Sequence, residues 1–199
     1  MIRRLLSRVS ERNEGMGERI LRDRLETLKM KDLDKFDRAA IVLLCIHGVS
    51  AHGVYGDIYN HNFKENIPFN GIGDMVLKID QICNWLNTPR ATTELRFFSR
   101  EMEKQYRESY SDPPEQNMKA DGEVGGGGIA YERVANAKEL LVIWVKYRQN
   151  ASLQGSVRGK LTKGVTVHFR SALELMRMIR MVEKQPGAKC EVVFKETTK

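Results

Sequence analysis

Residues 140 to 182, LLVIWVKYRQNASLQGSVRGKLTKGVTVHFRSALELMRMIRMV, leave this chain little freedom, because alternation, turn residues and a helix cap agree there. Leu141 to Tyr147 is apolar or aromatic at every position but Lys146, the pattern of a strand covered on both faces. Past Gln149, Asn150 and Ala151, the residues Leu153, Gly155 and Val157 alternate with Gln154, Ser156 and Arg158. That spacing predicts a half-buried second strand and a hairpin between the two. The glycine- and lysine-bearing turn from Gly159 to Gly164 leads to a third strand, in which Val165, Val167 and Phe169 oppose Thr166, His168 and Arg170. Ser171 with Glu174 three residues on is a capping box, so a helix starts there. Leu175, Met178, Ile179 and Val182 form its apolar stripe, and Pro186 and Gly187 stop it. The unit is βββα.

Ahead of it the spacing predicts helices. Ile2, Leu5, Leu6 and Val9 fall at helical intervals among Arg3, Arg4, Arg8 and Arg12, and Ile20, Leu21, Leu25 and Leu28 mark a second stretch. A third helix, capped by Asp32 or Asp34, is expected to bury Phe36, Ala39, Ala40, Leu43 and Ile46 and to end at Gly48, with a loop from His47 to Asn62. Phe69 to Asp74 leads into a fourth helix with Val76, Ile79, Cys83 and Leu86 inward, stopped by Thr88 and Pro89. Thr93 to Phe98 alternates as a short strand, and Ser99 to Tyr110 reads as a charged helix. The polar tract ending in Gly125 to Gly128 has the composition of a linker. No repeat is apparent. The expected fold is α+β, with a helical region over 1–110, a linker over 111–130, and over 131–199 a basic βββα unit, its sheet of three or four antiparallel strands; the two halves are free to pack as one body. Glu191 to Phe194 is a candidate edge strand.

The charge is uneven. The chain carries +7, yet residues 140–189 hold ten Lys or Arg against Glu174 and Glu183, so the basicity belongs to the βββα unit. A concentrated positive field attracts nucleic acid, nucleotide phosphates, acidic proteins or an anionic membrane surface. The longest apolar run, Ala39 to Ile46, is far short of the roughly 20 residues that span a bilayer. Three widely spaced cysteines, Cys45, Cys83 and Cys190, fit a reduced, cytoplasmic protein.

Chemistry-bearing constellations are sparse. Cys45, His47, His52, Asp57 and His61 bring metal-ligand residue types close in sequence, but without H-E-x-x-H or paired C-x-x-C spacing, so no metal is expected. Asn70-Gly-Ile-Gly-Asp74 enters a helix without the phosphate-binding glycine or lysine patterns, and Asp74 would repel an anion. Asp74 and Asp80 read as solvent-facing helix residues. No nucleophile–base or Walker constellation is readable, so the expectation is a non-enzymatic protein without a cofactor.

Two resemblances attach to the βββα unit. Tyr147-Arg148-Gln149-Asn150-Ala151, then Gln154-Gly155, then Phe169 to Leu175, together with the region from Phe69 to Phe98, resembles a pattern in small uncharacterised proteins of gut Clostridia, which implies a bacterial cytoplasmic source and no established activity. Asn150-x-Ser152-x-x-Gly155 is similar to the second half of the PilZ signature, which implies cyclic di-GMP binding through Asn150, Ser152 and Gly155. The arginine motif of that family is absent, leaving Arg148 and Arg133 isolated. The leading expectation is an accessory protein whose basic face meets nucleic acid through Lys146, Arg148, Arg158, Lys160, Lys163 and Arg170, with Trp144 or Tyr147 stacking on a base. A cyclic-dinucleotide sensor using Arg148, Asn150, Ser152 and Gly155 is the alternative, and a protein-interaction module or homodimer through an edge strand is the third.

Overall fold

The apolar run from Ile41 to Ile46 is a strand. In the computed structural model, which describes residues 40–110, 133–134 and 136–184, Ile41–Ser50 forms β1 and Gly53–Asn60 forms β2. The expected third helix is therefore corrected over residues 41–46, its part before residue 40 lying outside the described residues, and the expected loop over 47–62 is corrected to the end of β1 and to β2. The reason is burial on both sides: Val42, Leu44 and Ile46 enter one core and Leu43 and Cys45 another. A strand covered on both faces loses its period of two and reads from sequence like a buried helix.

The remaining elements are β3 (Ile67–Asn70), α1 (Ile72–Trp85), α2 (Arg100–Tyr110), β4 (Glu139–Gln149), β5 (Ser152–Gly159), β6 (Val167–Phe169) and α3 (Ala172–Glu183). All six strands form one antiparallel sheet in the order β3-β2-β1-β4-β5-β6. The class is α+β as expected, but a helical N-terminal region followed by a small sheet is not the architecture. Half of the sheet comes from residues ahead of the glycine tract, and β1 pairs directly with β4. Within 92–98 no strand forms; Ala91 makes an isolated bridge to Arg148. The expected helices before residue 40, the linker over 111–130 and the strand over 191–194 lie outside the described residues.

The sheet is two copies of one βββα unit. Ile46 pairs with Gly56 just before a bulge in β1, and Val145 pairs with Gly155 just before a bulge in β4, so each position recurs 99 residues on. Phe69 faces Gly56 and Phe169 faces Gly155, an interval of 100, because the connection from β5 to β6 is one residue longer than that from β2 to β3. The helices repeat the same interval: Met75, Ile79 and Ile82 are wholly buried on α1, and Leu175, Ile179 and Val182 are the buried positions of α3. Their starts match too. Asn70 N–H donates to the Asp74 carboxylate and Arg170 N–H to that of Glu174, while Met75 N–H bonds Gly71 O and Leu175 N–H bonds Ser171 O.

Two glycines hold this geometry. A Cβ at Gly56 would run into the Cys45 carbonyl, and one at Gly155 into the Trp144 carbonyl. Both helices pack on one face of the sheet, over the core of Leu44, Ile58, Ile143, Val157 and their neighbours. Ser171 caps α3 as expected, its Oγ accepting from Glu174 N–H. On the other face, among the described residues, Val134 and Ala137 pack over the middle, above Leu43, Tyr59, Leu140 and Val142.

Candidate functional site

The face opposite the helices differs between the two copies. Alternation along β4 and β5 turns Trp144, Gln154, Ser156 and Arg158 away from the helix-side core. The β4 bulge adds to them. It sets Tyr147 against Gln154 and Arg148 against Leu153, so Lys146 is the extra residue and Tyr147 faces out of the sheet at 57% exposure. Lys146 Nζ lies 4.4 Å above the Trp144 ring, a cation–π contact. His168 pairs with Ser156 and is exposed, as are Lys160 and Lys163 in the β5–β6 turn and Arg170 beyond β6. The exposed Tyr147, the half-buried Trp144 and a set of cations thus share one sheet surface.

The structure divides the six predicted cations. Lys160, Lys163 and Arg170 are exposed at or beside this face, and Lys146 is half-buried over the Trp144 ring. Arg158 is half-buried, and its Nε donates to Gly164 O at 2.7 Å, tying down the β5–β6 turn. Arg148 points the other way. Its guanidinium is buried against α1, with Nε and Nη2 at 3.0 and 2.9 Å from Asp80 Oδ1 and Nη2 donating to Asn84 Oδ1 at 2.6 Å. The bulge that exposes Tyr147 also flips Arg148 inward, which no residue pattern announces. Asp80, expected at the solvent, is its counterion, whereas Asp74 binds Lys78 and the Asn70 amide.

The residues implicated by the dinucleotide resemblance have duties within the fold. Asn150 and Ala151, at φ 56° and 52°, make the tight turn of the β4–β5 hairpin. Ser152 Oγ accepts from the Ala172 amide at 2.9 Å, and Gly155 is packed between the Trp144 carbonyl and the Phe169 ring.

The first copy carries a different centre on the same face. Asp57, the counterpart of Ser156, is fully buried and accepts from Asn66 Nδ2 at 2.6 Å, with His47 Nε2 at 2.7 Å and Arg133 Nε at 2.9 Å. His47 is the bulge residue matching Lys146. Tyr59, counterpart of Arg158, lies one step along β2, and its hydroxyl is buried without a hydrogen-bond partner among the described residues. Burial pushes that hydroxyl's pKa above the ordinary range, the charges of Cys45 and Asp57 add to the effect, and Arg133 opposes it. Of the five clustered metal-ligand types, His47 and Asp57 meet in a hydrogen bond, and among the described residues no group of three or more His, Cys, Asp or Glu could hold a metal ion. The signal for this centre is present in the sequence: Val54 and Ile58 alternate with Tyr55, Asp57 and Tyr59, a strand pattern masked by the loop-like composition that the surrounding histidines and glycines give the segment. Among the described residues no helix is long and apolar enough to cross a membrane. Comparison with protein-family models, curated proteins and solved structures found no match.

Proposed function

We propose that the second copy of the unit binds nucleic acid on its open sheet face, as a non-enzymatic binding module. The observation that carries this reading is the β4 bulge, which sets Tyr147 and Lys146 beside Trp144 on a surface bordered by Lys160, Lys163 and Arg170. Stacking on exposed rings and charge pairing with phosphates are the two contacts that hold a single strand without reading its sequence. The duplication sharpens the argument. Where the first copy has Cys45, His47, Asp57 and Tyr59, the second has Trp144, Lys146, Ser156 and Arg158, so an aromatic and cations replace a buried carboxylate on an otherwise common scaffold.

The test is fluorescence anisotropy of labelled single- and double-stranded oligonucleotides across a salt series. Engagement of the four cations Lys146, Lys160, Lys163 and Arg170 predicts a log–log salt slope of about −3 for a single strand, at about 0.7 per phosphate. Tyr147→Ala weakens binding by roughly 5- to 100-fold if one base stacks there. Lys160→Ala flattens the slope by about 0.7. No binding at low salt, or binding that neither variant changes, overturns the reading.

A further inference from the structure

The duplication supplies an internal control for the two edges of the sheet, and among the described residues only one of them is closed. At the β3 edge the central residue is Pro68, which has no N–H, and its carbonyl accepts from Lys78 Nζ at 2.7 Å. Gly71 N–H bonds Val54 O, and the alternation of an antiparallel ladder from that pair turns the backbone of residue 68 outward, off the sheet. Proline and lysine are two of the devices by which exposed edges are kept from pairing.

Both devices are missing at the other edge. Residue 168, the counterpart of Pro68, is His168, and residue 178, the counterpart of Lys78, is Met178. The same alternation turns the His168 N–H and C=O outward, and among the described residues nothing bonds them outside the ladder with β5. The side chains along this edge also suit a partner strand. Val165 and Val167 are exposed at 63% and 39%, and Arg170 is almost wholly exposed at 91%.

We infer that the β6 edge receives an extended acidic segment of another protein as a seventh strand. Backbone bonds to His168 supply the pairing, and alternation sorts the incoming side chains. Those beside Val167 lie on the helix side and are apolar; those beside His168 lie on the open face, where Arg170, Lys160 and Lys163 favour carboxylates. A second copy of this chain fits less well, because pairing β6 with itself brings two cationic edges together.

The probe is a labelled peptide of alternating glutamate and valine, seven residues long, compared with the same peptide N-methylated at every second residue. Saturable binding, hydrogen-exchange protection of the His168 amide, and no binding of the methylated peptide are expected. His168→Pro and Met178→Lys, which restore the two devices of the other edge, each weaken binding by about tenfold or more, the equivalent of one lost backbone hydrogen bond. Circular dichroism verifies folding, and Met178→Lys leaves the β6 backbone intact should His168→Pro unfold. Equal binding of the methylated peptide reduces the effect to charge and overturns the inference. So does binding that both variants leave unchanged, the absence of any binding, or a dimer in size-exclusion chromatography that Met178→Lys dissolves.

Discussion

Leu43 on β1 and Val142 on β4 sit opposite each other at the seam of the sheet and are the same position in the two copies of the unit. Their neighbours confirm the relation: Val42 pairs with Ile143 and Leu44 with Leu141, and exchanging the copies turns one pair into the other. A local two-fold axis therefore passes between Leu43 and Val142. Each copy alone would leave β1 or β4 as a long apolar edge, a site for aggregation. Pairing the two copies buries both edges at once, which is why the most apolar strands of the chain are the two central ones.

The glycines at the bulges offer the sharpest test of this relation. Gly56→Ala and Gly155→Ala each force a methyl against the carbonyl of the paired strand, so each is expected to destabilise the fold by at least about 2 kcal/mol. Gly73→Ala is the control. Nothing lies within 4 Å of its Cβ position on α1, and it is expected to gain about 0.5–1 kcal/mol from helix propensity. Urea unfolding of the three variants measures all of this, and equal costs at Gly56 and Gly73 would contradict the packing described.

Arg148 is expected to matter for stability and not for nucleic acid. Arg148→Ala removes a buried guanidinium and leaves Asp80 and Asn84 without their partner, a loss of about 3–5 kcal/mol for breaking one side of a buried pair. Arg148→Met with Asp80→Leu removes both charges together and is expected to recover part of that loss. In the anisotropy assay, the Arg148→Met, Asp80→Leu protein keeps the salt slope of the parent.

Much of the second copy was legible because its elements follow local rules. The capping box at Ser171, the stripe from Leu175 to Val182 and the turn at Asn150 are each set by a few neighbouring residues. The first copy lacks several of these. Gly71 caps α1 with no side-chain bond, Cys45 and His47 invite a metal reading, and Ile41 to Ile46 has no alternation. The duplication itself was invisible to residue identity: its counterparts preserve shape and burial, as in Met75 and Leu175 or Ile58 and Val157, while few residues other than Gly56/Gly155, Phe69/Phe169 and Ile79/Ile179 are the same. The open face could not be assigned at all without the bulge, since one extra residue decides whether Tyr147 or Arg148 faces solvent.

Alkaline pH should weaken the fold through Cys83. Burial against the sheet pushes its thiol up to about 12 from 9.0, with Asp80 adding and Arg148 opposing. The folded chain thus keeps a proton that the unfolded chain releases. The sign follows: this contribution is full below pH 9 and is lost as pH rises toward 12. Between pH 9 and 10 it amounts to about 1 kcal/mol, from 1.36 kcal/mol per unit and a half-titrated start. The stability difference between the parent and Cys83→Ala, followed by urea unfolding at both pH values, is expected to shrink by that amount; a constant difference would refute it.

Asp57 should be the costliest polar residue to lose in the first copy, and its loss should spare nucleic-acid binding. Its carboxylate is the common acceptor for His47 from β1, Asn66 from the β2–β3 connection and Arg133 from the stretch that leads over the seam. Asp57→Ala strands these donors. Arg133 is half exposed and can turn to water, which holds the cost to about 2–3 kcal/mol, below that of a fully buried pair. Arg133→Ala costs less, about 1 kcal/mol or under, because His47 and Asn66 still satisfy the carboxylate. If the open face of the second copy is the binding surface, Asp57→Ala lowers the urea midpoint while leaving oligonucleotide affinity and salt slope unchanged below that midpoint. A parallel fall in affinity would place the binding surface across both copies.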